Sequence, residues 1–140
     1  MGNRIMVPVD GSEQAHEAVE FVDDEFDDGV LVLLHVVNPA EAGYSAQASL
    51  PSFSEEWYQD QKEQAEALFD DLESAVGGLD IETALEVGKP TQVIVDYAEQ
   101  EDVDQIVMGS HGRSGVTRIL LGSVAETVVR RSPVPVTVVR

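Results

Sequence analysis

The chain has 140 residues, enough for one domain that buries a core without help from metal or disulfides. It contains no cysteine, which excludes disulfide scaffolds, thiolate metal sites and cysteine nucleophiles. A net charge of −19, from 27 acids against eight bases, argues against a general nucleic-acid or anionic-membrane surface.

The excess of acid does not signal disorder, because 43% of the residues are hydrophobic. A surface of this charge self-repels in dilute buffer but is tolerable where molar salt shortens the Debye length to about 3 Å. With only Lys62 and Lys89 as lysines, the composition reads as halophilic. The N-terminal apolar stretch is too short for a signal-peptide core, and the longest apolar run, Val30 to Leu34, is too short to span a bilayer. A soluble cytoplasmic protein is expected.

The first apolar run, Arg4 to Val9, predicts a strand that leads into Asp10-Gly11-Ser12. A helix follows with Ala15, Val19, Val22 and Phe26 at helical spacing, ending by Gly29. Val30 to Val37 predicts the second strand. Asn38 to Phe53 lacks periodicity and reads as a long loop or lid. A capping-box pattern, Ser52 to Glu55, opens the second helix, which carries Trp57, Ala65, Leu68, Leu72 and Val76 toward the core and stops at Gly77-Gly78. Ile81 to Val87 is the third strand, and Pro90 opens a short helix with Val93, Ile94 and Tyr97. Gln105 to Met108 is the fourth strand, Gly122 to Arg131 the fourth helix, and Val134 to Val139 the fifth strand. Near-continuous apolar strands alternating with helices specify an α/β fold, a doubly wound, five-stranded parallel sheet with four helices, in one domain over residues 1–140.

Charge is uneven along this order. Residues 1–104 hold 26 acids and three bases, whereas residues 105–140 hold one acid, Glu126, and five arginines. Either buried strands and an interface need few acids there, or something anionic sits there. The same segment carries Gly109, Gly112 and Gly122-Ser123, beginning at a strand end and finishing on a helix start. Glycines let amides approach phosphate oxygens, and a helix N-terminus offers donors and the positive end of a dipole. His111 and Arg113 are further candidates for phosphate contact. His16 and His35 read as structural, and Arg118, Arg130 and Arg131 as solvated helix ends.

With these motifs in place the chain resembles the universal stress protein family, in its ATP-binding type, over nearly its whole length. The resemblance rests on "IMVPVDGS", "LLHVV", "GKP", "IVMGSHGRSG" and "LLGSVAETVVRRSPVPVTVV". It implies strand order 3-2-1-4-5, a homodimer joined through the C-terminal strand, and ATP between the ends of strands one and four. Carried over residue by residue, Pro8 and Asp10 match positions near the adenosine, with Asp10 at the ribose. Val36 matches the adenine contact, and Met108, Gly109, Gly112, Gly122, Ser123 and Val124 match the ribose and phosphate loop. Asp10 also suits a magnesium ion, although Asp-Gly is equally a turn dipeptide. The last strand is apolar and contains Pro135, which an edge tolerates best, so pairing of two copies is expected on physical grounds too.

The reading is an ATP-binding module acting in a stress or regulatory role, whose bound state an unidentified protein partner reads. Its rivals are a weak ATPase on the same fold and a dimeric interaction protein that takes no nucleotide. No P-loop signature and no placed histidine base support turnover, so no catalytic residue is assigned.

Overall fold

The structure, a computed structural model, describes residues 3–42, 55–110 and 122–140. The elements run β1 (Arg4–Pro8), α1 (Glu13–Glu25), β2 (Val30–Val37), a 3-10 turn (Pro39–Ala42), α2 (Glu55–Glu73), β3 (Asp80–Val87), α3 (Pro90–Gln100), β4 (Gln105–Gly109), α4 (Ser123–Arg131) and β5 (Val136–Val139). Every strand pair is parallel and the order is β3-β2-β1-β4-β5, as the resemblance implies.

Strand alternation sorts the core into two layers. Ile5, Val7, Leu31, Leu33 and Val107 face α1 and α2 and pack with Val19, Val22, Ala65, Phe69 and Leu72. Met6, Val32, Leu34, Ile106 and Met108 face α3 and α4 and pack with Ile94, Ala98, Ala125 and Val128. Because β1 and β2 have helices on both sides, their central residues are fully buried, which is why they read as unbroken apolar runs. Each such side chain contributes about 2 kcal/mol of burial.

Several predicted bounds move. Phe26 caps α1 instead of extending it, and Phe69, unremarked in the sequence, is a core residue. The strand begun at Val134 starts at Val136, because Pro135 has no N–H to give; its carbonyl instead accepts from Ile106 N at 2.9 Å. Edge strand β3 is largely exposed, with Glu82 and Glu86 among its residues, so it is not a buried run. Of the predicted lid, Pro39–Ala42 forms the 3-10 turn. Its remainder, 43–53, lies outside the described residues, and so does Ser52 of the capping box.

The amino-terminal end of the sheet is tied shut. Arg4 N donates to Asp104 Oδ2 at 2.8 Å, while Asp104 N donates back to the Arg4 carbonyl at 2.8 Å. The Arg4 guanidinium donates to the Glu101 carbonyl at 3.1 Å and reaches Glu82 on β3 at 3.1 Å. Gly29 takes a φ of +121°, and a Cβ there would stand 2.6 Å from the Asn3 carbonyl oxygen, so only glycine fits.

Candidate functional site

The opposite end of the sheet is open. Sheet order reverses at β1, whose neighbours are β2 and β4, and ligands of such folds bind beyond the strand ends at that point. The chain leaves β1 through Asp10 and Gly11. Asp10 Oδ1 accepts from Ser12 N at 3.0 Å, and Ser12 Oγ accepts from Ala15 N at 3.1 Å, which caps α1. Gly11 sits at φ +82° with no atom within 4 Å of where its Cβ would be. That glycine answers the turn and leaves open space beside it.

Asp10 and Gly11 form one lip of a cavity of about 440 Å³, within the range of pockets that hold small molecules. Its floor is the end of β2, from His35 to Asn38. Its far wall is one face of α2, where Trp57, Gln61, Gln64 and Leu68 recur at helical spacing. The His35 ring is held by a 2.7 Å bond between Nδ1 and the Val9 carbonyl, so a neutral ring donates from Nδ1 and keeps Nε2 as an acceptor. Asn38 Oδ1 accepts from Ala40 N at 3.1 Å. In a chain of charge −19 the described residues of this lining include a single carboxylate, Asp10, and no lysine or arginine.

On the other side of β1 lies the β4–α4 junction. The Met108 side chain is buried in the α3/α4 layer, so only its backbone is available to a ligand. Gly109 has a packing reason to be glycine: a Cβ would stand 2.7 Å from Gln14 Cβ and 2.9 Å from the Gln14 carbonyl. Ser110 N donates to the Val139 carbonyl at 3.1 Å, and Gly122 N donates to the Ser110 carbonyl at 2.6 Å, closing the two ends of the 111–121 segment on each other. The Gly122 amide is therefore engaged, and the donors left for an anion are those of Ser123, Val124 and Ala125. They precede the first helical bond, from Glu126 N to the Gly122 carbonyl at 2.9 Å. No side chain caps this terminus.

Thus Asp10 and Val36 line the cavity, and Pro8 ends β1 next to it. Gly109, Gly122, Ser123 and Val124 belong to the junction. Gly112, His111, Arg113 and Arg118 lie outside the described residues. Arg130 pairs with Glu126 at 2.9 Å at the far end of α4, and His16 sits 3.6 Å from Glu20 on α1. His35, read as structural, turns out to line the cavity, as do Trp57, Gln61 and Gln64. The helical spacing from Trp57 to Leu68 was the available signal, but its apolar members fit a core stripe equally well.

Among the described residues no group of three or more His, Cys, Asp or Glu side chains could hold a metal ion. Asp10 keeps one carboxylate oxygen beyond its turn bond, so it suits a cation only where a ligand supplies the other donors.

The comparisons with known proteins show the family and the fold. Residues 1–140 match the universal stress protein family. Universal stress protein MJ0531 of Methanocaldococcus jannaschii is 35% identical over 140 residues, covering 98% of this chain and 81% of its own. MJ0577 of the same organism is 32% identical over 157 residues, covering all of this chain and 96% of its own. The solved structure of MJ0577 matches with a TM-score of 0.83 at 34% identity, over 99% of this chain and 96% of that one. A universal stress protein solved in complex with cAMP matches with a TM-score of 0.66 at 25% identity, over 99% of this chain and 97% of that one. On fold, sequence and length together, the chain belongs to the universal stress protein family.

Proposed function

We propose that this protein is an adenine-nucleotide-binding module, with ATP as its ligand and magnesium carried in with the phosphates near Asp10. One observation carries the reading: an almost uncharged cavity and an uncapped helix N-terminus stand on either side of the β1 end. That is the pairing a nucleotide needs, with room for a base and ribose on one side and unpaired amides for phosphate on the other. The cAMP complex of a structural neighbour supports a nucleotide ligand. The site needs no turnover to act; a partner protein that reads the bound state gives it a regulatory role in stress.

The proposal extends to assembly and setting. All four residues of edge strand β5 are only half-buried, and Val124 and Val129 of α4 are 36% and 44% exposed, which fits a homodimer formed across this edge. Deleting residues 136–140 should yield monomer or aggregate by light scattering, and an intact dimer would overturn the interface. Helices α1 and α2 together carry fourteen acids and one lysine, the surface of a protein for a salt-loaded cytoplasm. Thermal stability should fall from molar salt to about 0.1 M, and an unchanged Tm would refute the halophilic reading. Among the described residues no helix is long and apolar enough to cross a membrane.

The deciding experiment is calorimetric titration of ATP with magnesium into the protein in molar potassium chloride, after acid extraction to detect nucleotide already bound. Saturation at one site per chain, or ATP in the extract, supports the reading. Neither result leaves a dimeric interaction protein without nucleotide.

A further inference from the structure

Helix α2 holds eight acids in its 19 residues, yet the four positions that line the cavity are Trp57, Gln61, Gln64 and Leu68. Gln64 is exposed and Gln61 half-buried, so either could carry a solvated carboxylate like its neighbours Asp60, Glu63 and Glu66. Two carboxamides instead stand with an indole along the cavity face of this acid-rich helix. Neither amide takes a hydrogen-bond partner among the described residues. An uncharged carboxamide offers an acceptor and a donor side by side, and the indole of Trp57 lines the same cavity. The remaining lining is chemically suited to an uncharged ring system as well: Val36, Val37 and Leu68 are apolar, and the His35 ring is fixed by its bond to Val9.

Resting on the nucleotide reading above, we propose that Gln61 selects the base. Its carboxamide pairs with the N6 amine and N7 of adenine while Trp57 packs on the ring. Adenine presents a donor and an acceptor along that edge, complementary to the amide oxygen and amide NH₂. Hypoxanthine and guanine present two acceptors there, so the Gln61 oxygen would face an oxygen and lose its bond. Gln64, the more exposed of the two, adds a second polar contact to the ribose side.

ATP and ITP differ on this edge only at the N6 amine, so their affinities for wild type, Gln61→Leu and Gln59→Leu isolate the contact. Gln59 is exposed on α2 and absent from the cavity lining, and so controls for changes in the helix. Trp57 is the sole tryptophan, so its fluorescence reports a base in this cavity directly, alongside calorimetry. Wild type and Gln59→Leu should prefer ATP by about tenfold with quenching of Trp57, as expected for one bidentate amide–adenine contact. Gln61→Leu should lose that preference by weakening ATP more than ITP, which keeps only the N7 acceptor for the amide. ATP binding with an ATP-to-ITP ratio unchanged in Gln61→Leu, or with Trp57 silent, overturns this inference and leaves the nucleotide reading standing. Failure of wild type to bind either nucleotide overturns both.

Discussion

The two ends of the sheet handle their polar groups in opposite ways. At the amino end, Arg4, Glu82, Glu101 and Asp104 satisfy one another across β1, β3 and the α3–β4 turn, and Gly29 lets the chain close against Asn3. At the carboxyl end, α1 is capped by its own Ser12, but α4 starts uncapped, and the cavity beside it carries amides without partners among the described residues. A buried or bridging polar group that is mutually satisfied contributes to stability; one left open contributes only when something binds. The amino end therefore holds the fold, and the carboxyl end is where the proposed nucleotide would sit. Substitutions at the two ends should separate stability from binding.

The largest effect is expected at Gly29. Alanine there combines a φ of +121° with a Cβ 2.6 Å from a backbone carbonyl, which together cost about 3 kcal/mol. Chemical denaturation should register that loss, while any protein still folded binds nucleotide normally. Full stability in Gly29→Ala would mean that the amino end yields more easily than its contacts imply.

Gly122→Asp tests the other end. Gly122 has φ −67° and ψ 164°, which every residue adopts, so the backbone accepts aspartate, a better N-cap than glycine. Its carboxylate would occupy the amides of the first turn and repel phosphate. Nucleotide affinity should fall by about 30-fold, the equivalent of about 2 kcal/mol, with stability unchanged or slightly raised. A variant that binds ATP as well as wild type would show that phosphate does not reach α4.

How much of this contrast was legible beforehand depends on the range of the contacts. The alternation of strands with helices and the two strand-to-helix junctions were readable because apolar periodicity, Asp10-Gly11-Ser12 and Gly122-Ser123 are local patterns, whereas the strand order came through family resemblance. Asp10 and Val36 were placed at the site through family resemblance, and both line the cavity. Gly109 was read as an approach for phosphate, yet its neighbour is Gln14, 95 positions away, and no local pattern announces that contact. The wall formed by Gln61 and Gln64 was missed for a similar reason: Trp57 and Leu68 make the same stripe whether a helix faces a core or a cavity. The Arg4 clasp joins positions 4, 82, 101 and 104, which only sheet order brings together.

A smaller effect is expected when that clasp is cut. Arg4→Met keeps the stem and removes the charge. Because Glu82 is half exposed, the ion pair itself is screened, and the expected cost is about 1 kcal/mol. The loss should appear as a lower denaturation midpoint with nucleotide affinity unaltered.

The smallest expected effect appears only in alkali. Tyr97 on α3 packs half-buried against the α3/α4 core layer, and burial raises its pKa above 10; Glu101 adds to the rise, as Glu82 and Glu86 do, while Arg4 opposes it. Above pH 10 the unfolded chain releases this proton and the folded chain retains it, so the unfolded state gains and stability falls as pH rises. Tyr97→Phe should flatten that alkaline limb without changing stability at neutral pH. Arg4→Met should steepen it, because the one cation favouring the phenolate is gone. If the slope above pH 10 were the same in all three proteins, the amino end would be looser in solution than its contacts imply, and its contrast with the open carboxyl end would shrink accordingly.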